Sequence, residues 1–170
     1  MEALWQRLEL WLRATTPFVS ALVMTLISVL AWPIPYLGVV MPPLAYISLF
    51  YWAAHRPDLF TLPMAFGIGL LNDIVNNFPL GSSALLFSVA HQIIFKKRST
   101  FVGHSFYMLW AGFSFSAVLL MFFQWVLFGL LAWAIAPFLP VFLQTFLGIV
   151  VFPLPCWAMI QLQKNTVSPN

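Results

Sequence analysis

Asp73 is the residue of this chain whose chemistry most needs an explanation, because it is a carboxylate inside a strongly apolar, helix-forming segment. At helical spacing it shares one arc with Ala65, Gly69, Asn72 and Asn76. A charged side chain at the centre of a bilayer costs about 2.5 to 3.5 kcal/mol on insertion scales. We therefore expect this arc to face protein, with Ala65 and Gly69 letting another backbone approach closely.

Two interpretations of Asp73 follow from its surroundings in the sequence. In the first, the carboxylate accepts hydrogen bonds from the backbone amides of residues 77–81 and the hydroxyls of Ser82 and Ser83, which fixes a helical hairpin. In the second, it meets a polar group on a partner or a ligand. His91 is expected to lie deeper toward the cytoplasm than Asp73. A proton relay is disfavoured, because no second ionisable group within a span has the same depth.

The reactive residues are not spaced as a catalytic site would require. An aspartyl protease needs two carboxylates at one depth, whereas Asp58 is expected on the opposite side of the bilayer from Asp73. Ser83 and His91 on one helix would lie about 12 Å apart along its axis, beyond hydrogen-bond reach. The sequence holds no metal-ligand cluster and no glycine-rich phosphate loop. We therefore predict no enzyme, no catalytic residue, no metal site and no cofactor.

The composition of the 170 residues predicts an integral membrane protein of the all-α class. Hydrophobic residues make up 62% and charged residues 6% of the chain, and the mean hydropathy is +0.96. At about 20 apolar residues per crossing, the chain has room for a bundle of about six transmembrane helices. The apolar segments are residues 17–32, 41–54, 59–76, 82–95, 104–134 and 138–162. Pro153 and Pro155 predict a kink in the last one.

The chain divides into three predicted units. Residues 1–15 have leucines and a tryptophan on one helical face and charged residues on the other, which is typical of an amphipathic helix lying in the interface. Residues 16–163 form the single transmembrane domain, and residues 164–170 form a cytoplasmic tail.

Basic residues predict the orientation of these segments. With six crossings, all seven Lys and Arg side chains fall on one side of the membrane. They are Arg7, Arg13, Arg56, Lys96, Lys97, Arg98 and Lys164. The positive-inside rule then places both termini in the cytoplasm and the turn at residues 77–80 outside. The seven basic residues are dispersed along the chain and form no phosphate-binding patch. Nucleic acid is therefore not an expected partner.

Several residues within the spans have expected packing roles. Gly112 and Ser116 are read as a second pair of small residues at a close helix contact. Tyr51 and Trp52 are read as aromatic anchors at the inner interface, or as lipid-facing bulk. Interhelical hydrogen bonding is the expected role of His91, Gln92, Gln124 and Gln144.

Residues 40–95 carry a resemblance to a known family. The matching features are Pro42 and Pro43, Tyr51-Trp52, His55-Arg56, the spacing Gly69-x-x-x-Asp73, and the turn Leu80-Gly81. In these the chain resembles the bacterial rod shape-determining MreD family. The family is similar in fold to the substrate-binding subunits of energy-coupling-factor transporters, so the resemblance implies a comparable six-helix bundle.

The resemblance implies a non-enzymatic subunit of the cell-wall elongation complex in the bacterial inner membrane. Its expected partners are the bitopic protein MreC, the elongation-specific penicillin-binding transpeptidase and RodA, the MreB filament indirectly, and membrane lipid. The family's functional positions carry over to Asp73, Leu80 and Gly81, with Gly69 beside them. This sequence departs from the family's pattern because Asn72, Asn76 and Asn77 crowd the motif. The alternative is a solute-binding subunit of a vitamin transporter, in which the Asp73 arc would line a pocket.

Overall fold

The computed structural model describes residues 2–28, 41–101, 105–132 and 137–166. Within these ranges the chain forms seven helices and no strand, so the predicted all-α class is confirmed for this part of the protein. The helices are α1 (Glu2–Ile27), α2 (Leu44–His55), α3 (Leu62–Val75), α4 (Ser82–Phe101), α5 (Phe106–Ala132), α6 (Phe138–Val151) and α7 (Pro153–Thr166).

Helix α2 is the centre of the bundle. Every residue from 45 to 54 is buried, which fits a helix that is apolar all round and enclosed on all sides by other helices. It packs against α1, α3, α4, α5 and α7. At its start, Pro43 lies so close to Gly148 of α6 that a Cβ on this glycine would be 2.7 Å from the proline Cδ.

Tyr51 and Trp52 of α2 lie inside the bundle, and their interpretation as interfacial anchors or lipid-facing bulk is wrong. Trp52 and Tyr51 have exposed fractions of 0% and 1%. The Trp52 indole donates a hydrogen bond to Ser20 of α1 at 2.8 Å, and the Tyr51 hydroxyl donates one to Gln163 of α7 at 2.7 Å. Because each polar tip has a protein partner, neither ring needs the membrane interface.

Helix α1 differs from the expectation of a separate helix over residues 1–15. The helix is continuous from Glu2 to Ile27 and includes Pro17. A proline inside a helix removes one hydrogen bond but does not always end it, because nearby polar side chains can compensate. The acceptor that Pro17 leaves free is the carbonyl of residue 13, and the Ser20 hydroxyl donates nearby, to the Pro17 carbonyl, at 2.9 Å. The side chains of residues 1–14, on which the amphipathic pattern rests, lie outside the described part.

The predicted kink in the last segment is confirmed. Helices α6 and α7 meet at Phe152 with a bend of 46°. Pro153 and Pro155 lack the N–H groups that would continue the ladder, while Phe152 and Cys156 still donate to the carbonyls four residues earlier. The bend therefore lies where the two prolines interrupt the hydrogen-bond ladder.

Helix α4 is longer than the sequence predicted. It begins at Ser82, as expected, but continues beyond residue 95 to Phe101. The basic residues Lys96, Lys97 and Arg98 consequently belong to the last turns of a helix and not to a loop. This placement is favourable because the carbonyl end of a helix carries a partial negative charge.

One helix in the described ranges, Phe106–Leu131, is long and apolar enough to cross a bilayer by itself. The bent pair Phe138–Val151 and Pro153–Lys164 meets the same criterion if it is taken as one broken span. Thr15–Ile27 and Leu62–Val75 are shorter apolar helices. By length and composition these residues supply one crossing, or two with the bent pair, and the other crossings of the predicted bundle remain a prediction.

Candidate functional site

The candidate site is built on the hairpin of α3 and α4, whose backbones touch at Gly69. A Cβ added to Gly69 would lie 2.5 Å from the Ala84 Cα, 2.7 Å from the Ala84 nitrogen and 2.7 Å from the Ser83 carbonyl oxygen. Such distances are too short for any side chain, so only glycine allows this contact. Ala65, one turn earlier, is fully buried. The expected close approach of another backbone is confirmed at Gly69, and its partner is α4.

Helix α3 ends in a compact cap that directs the chain into the turn. Asn76 is the C-cap, and Asn77 follows with a φ of 53°, in the left-handed region that asparagine tolerates better than most residues. The Phe78 amide donates to the Asp73 carbonyl at 2.8 Å and the Asn77 amide to the Ile74 carbonyl at 3.4 Å. This pair of bonds is a Schellman motif, which satisfies carbonyls that the helix end leaves free.

The Asp73 carboxylate binds the first turn of α4. It accepts hydrogen bonds from the Gly81 amide at 2.9 Å, from the Ser83 amide at 2.9 and 3.1 Å, and from the Ser82 hydroxyl at 3.1 Å. The Gly81 carbonyl accepts the first helical bond, from Leu85 at 2.9 Å, which makes Gly81 the N-cap of α4. Asp73 thus supplies the capping oxygens that glycine lacks.

Several features make this position favourable for a carboxylate. Asp73 is completely buried, so its charge is removed from solvent and must be compensated by protein. The compensation comes from amide and hydroxyl donors and from the positive end of the α4 dipole. Gly81 has a φ of +92°, a conformation that glycine adopts readily and that lets its amide reach the carboxylate.

Amide side chains extend the network to a third helix. Asn72 donates to the Ser83 hydroxyl oxygen at 3.1 Å, and Gln124 of α5 donates to the same oxygen at 3.3 Å. The Asn76 side chain donates to the Asn72 carbonyl at 2.9 Å and to its side-chain oxygen at 3.1 Å. Ser83 therefore connects α3, α4 and α5, and the interhelical role predicted for Gln124 is confirmed.

A small polar cavity of about 30 Å³ lies beside this network, as bounded by the described residues. Its lining includes Tyr46, Asn72, Asn76, Gln124 and Gln144. A water molecule needs about 10 to 15 Å³ by the same measure, so the cavity has room for about two waters. Its volume is far below the roughly 300 to 1,000 Å³ of sites that enclose drug-sized ligands.

His91 belongs to a different part of the bundle from Asp73. It is buried, and its Nε2 lies 2.8 Å from the carbonyl oxygen of Phe60, in the connection between α2 and α3. The Ser83 hydroxyl oxygen is engaged by the two amides. Neither side chain shows the serine–base contact that nucleophilic catalysis requires. Among the described residues, no three His, Cys, Asp or Glu side chains come together as a metal site.

Most of the site residues predicted from sequence lie in one network, while Leu80 does not. Gly69, Asn72, Asp73, Asn76 and Gly81 all lie in or beside the α3–α4 junction, as described above. The Leu80 side chain is 72% exposed. Of the two interpretations of Asp73, the structure contains the hairpin-fixing contacts of the first in part: the Gly81 amide and the Ser82 hydroxyl donate as expected, whereas Ser83 donates through its backbone amide and not its hydroxyl. Sequence reasoning missed the left-handed Asn77, for which the only signal was an Asn-Asn pair before Phe-Pro.

Comparison with known proteins gives one match. The family model described as rod shape-determining protein MreD matches residues 10–165. No curated protein and no solved structure matches the chain. The family match covers every element that contributes to the α3–α4 junction.

Proposed function

The chain belongs to the MreD family of rod shape-determining proteins, and from this premise we propose that it is a scaffold that binds and positions MreC and the wall synthases. The family accounts for a role in bacterial cell shape and for a structural, membrane-bound protein of the cell envelope. The finer assignment is a non-enzymatic subunit of the inner-membrane complex that elongates the wall.

The observation that carries this proposal is that the α3–α4 hairpin has one family residue buried inside it, Asp73, and another exposed at its surface, Leu80. Asp73 directs its carboxylate into the hairpin, where amides and hydroxyls of residues 81–83 surround it. Leu80, in the adjacent turn, directs an apolar side chain outward and is 72% exposed. A rigidly capped turn that presents a leucine is well suited to contact another protein, because preorganisation lowers the entropy lost on binding.

The size of the polar cavity favours a scaffold over the solute-binding alternative. A transporter subunit would need the arc of Asn72, Asp73 and Asn76 to line a pocket of ligand size. The cavity beside this arc has a volume of about 30 Å³, and the Asp73 carboxylate is occupied by the α4 N-terminus. Stoichiometric retention of a small organic molecule by the purified protein would support the transporter instead.

The proposed topology has six crossings with both termini in the cytoplasm. The crossings are the apolar second half of α1, then α2, α3, α4, α5 and the bent pair α6–α7. Residues 1–15, the first half of the same continuous helix, lie at the inner interface, residues 16–163 form the membrane domain and residues 164–170 form the tail. Helix α2 is short, about 18 Å at 1.5 Å per residue. Its burial by neighbouring helices allows this, since little of α2 has to meet lipid.

The topology predicts opposite labelling of two engineered cysteines in a Cys156→Ser background. Leu80→Cys should react with an impermeant maleimide added to intact spheroplasts, because the α3–α4 turn is outside. Lys97→Cys should react only after the membrane is permeabilised. Labelling of Lys97→Cys in intact spheroplasts would contradict the orientation. Labelling of both sites would indicate a different number of crossings.

Replacing Leu80 by alanine should weaken copurification of MreC. Truncating a residue that anchors an interface costs more than about 1 kcal/mol, and with Leu80 as the anchor of this contact we expect about a fivefold loss or more. The matched control is Leu154→Ala on α7, because Leu154 is also 72% exposed but lies far from the turn in sequence. Equal retention of MreC by both variants would exclude the turn as the contact. The transpeptidase, RodA and MreB should be lost together with MreC, because they are expected to join through it.

A further inference from the structure

An apolar groove runs between α4 and α5, over part of α2. It has a volume of about 460 Å³, and its walls include Ile93 of α4 and Phe115 and Leu119 of α5. Gly112 and Ser116 also line it. The sequence suggested that these two small residues would lie at a close helix contact. In the structure both residues line this open space, which we call the α4–α5 groove.

One end of the α4–α5 groove carries a positive charge. Lys97 is the one charged residue among its lining residues. The two described aspartates do not neutralise it, because Asp58 pairs with Arg56 at 2.9 Å and Asp73 is enclosed in the hairpin. Among the described side chains, no aspartate therefore occupies the Lys97 ammonium, which lies at the end of an apolar channel.

The length of the groove matches one leaflet of a bilayer. Along α4 its lining extends from Leu86 to Lys97, which is about 16 Å at 1.5 Å per residue. The hydrocarbon core of a bilayer is about 30 Å thick, so one leaflet contributes about 15 Å. In the proposed orientation, Lys97 lies at the cytoplasmic surface and the groove spans the inner leaflet.

We propose that the α4–α5 groove binds an anionic phospholipid of the inner leaflet, with an acyl chain along the groove and the headgroup phosphate on Lys97. The apolar walls suit the chain, and the ammonium suits the phosphate. The proposal uses the topology given above only to assign the leaflet. It does not depend on any contact with MreC.

A partner's transmembrane helix fits the groove less well. A spanning helix needs a surface of about 30 Å, roughly twice the length of this groove. The cytoplasmic flank of a bitopic protein is also enriched in Lys and Arg, which Lys97 and the neighbouring Lys96 and Arg98 would repel. A phospholipid meets neither obstacle.

Native mass spectrometry of the purified protein tests the lipid site. The protein is released from micelles that hold equal amounts of dioleoyl-phosphatidylglycerol and dioleoyl-phosphatidylcholine. We expect preferential retention of phosphatidylglycerol, and we expect Lys97→Gln to reduce it about fivefold, since one basic residue near an anionic lipid contributes about 1 kcal/mol. Lys96→Gln is the matched control, because Lys96 is adjacent and exposed but does not line the groove. Its effect should stay below about twofold.

A second variant tests the acyl-chain part independently of charge. Ser116→Leu adds bulk to the wall of the groove and should lower retention of both lipids, provided that its melting temperature matches that of the wild type. If it does not, Gly112→Ala gives the smaller change. Equal losses in the two lysine variants would overturn the headgroup contact. Unchanged retention in a folded groove-filling variant would overturn the groove. A complex with MreC that excludes the lipid would assign the groove to the partner's helix.

Discussion

Replacing Gly69 by alanine should separate α3 from α4 and strongly destabilise the protein. The added Cβ would lie 2.5 to 2.7 Å from backbone atoms of Ser83 and Ala84, and backbone cannot move aside as a flexible side chain can. Overpacking of this kind costs about 3 kcal/mol or more. The expected result is a melting temperature in detergent about 10 °C lower, measured by size exclusion after heating. In cells, the rod shape should be lost at normal transcript levels.

Gly67 provides the matched control for this substitution. It lies two residues away on the same helix, and a Cβ there would find one atom, a ring carbon of Phe18, at 4.0 Å. Gly67→Ala should therefore leave stability unchanged or raise it slightly, because alanine favours a helix by about 1 kcal/mol over glycine. If Gly69→Ala and Gly67→Ala have the same melting temperature, the close contact at Gly69 does not stabilise the hairpin. If Gly69→Ala keeps the wild-type melting temperature but no longer copurifies MreC, the glycine is needed for the contact with MreC.

The α3–α4 junction could be predicted from sequence because its contacts are local. Asp73 and its donors are separated by eight to ten residues, with a short turn between them. The spacing of the small residues Ala65 and Gly69 is enough to mark the contact face of α3. The solvation cost of a buried carboxylate then requires donors nearby, and the turn is the nearest source of them.

Contacts between distant segments could not be predicted in the same way. Burial of Tyr51 and Trp52 depends on Gln163 and Ser20, which are 112 and 32 residues away. The partner of Gln124 is 41 residues away. In a chain that is apolar almost everywhere, periodicity does not distinguish a face toward lipid from a face toward another helix. The central position of α2 therefore becomes evident only when the other helices are in place.

The same limit explains the roles of the two pairs of small residues. Gly69 contacts a backbone, whereas Gly112 and Ser116 line an open groove. Both pairs have the same four-residue spacing in the sequence. This spacing places two residues on one face of a helix but does not indicate what packs against that face. The occupant of each face depends on the whole bundle, and in the second case we infer that it is a lipid.

Replacing Asp73 by asparagine should destabilise the protein even though the two side chains have the same shape. The asparagine oxygen can still accept a hydrogen bond, but its NH₂ group would face the amides of Gly81 and Ser83. The charge that stabilises the α4 N-terminus is also lost. Hydrogen bonds to charged groups contribute about 1.5 to 3 kcal/mol, so we expect a loss of about 2 kcal/mol for Asp73→Asn and more for Asp73→Ala, which leaves every donor unsatisfied.

Asp58→Asn is the control for Asp73→Asn, because it removes the same charge elsewhere. Asp58 forms an ion pair with Arg56 whose aspartate side chain is 58% exposed, and exposed pairs contribute little to stability. We expect the two variants to differ clearly in melting temperature and in the amount of folded protein. MreC binding should fall only in proportion to the folded fraction of Asp73→Asn. A variant that kept the wild-type melting temperature but lost MreC would show that the carboxylate acts on the partner and not as the cap of α4.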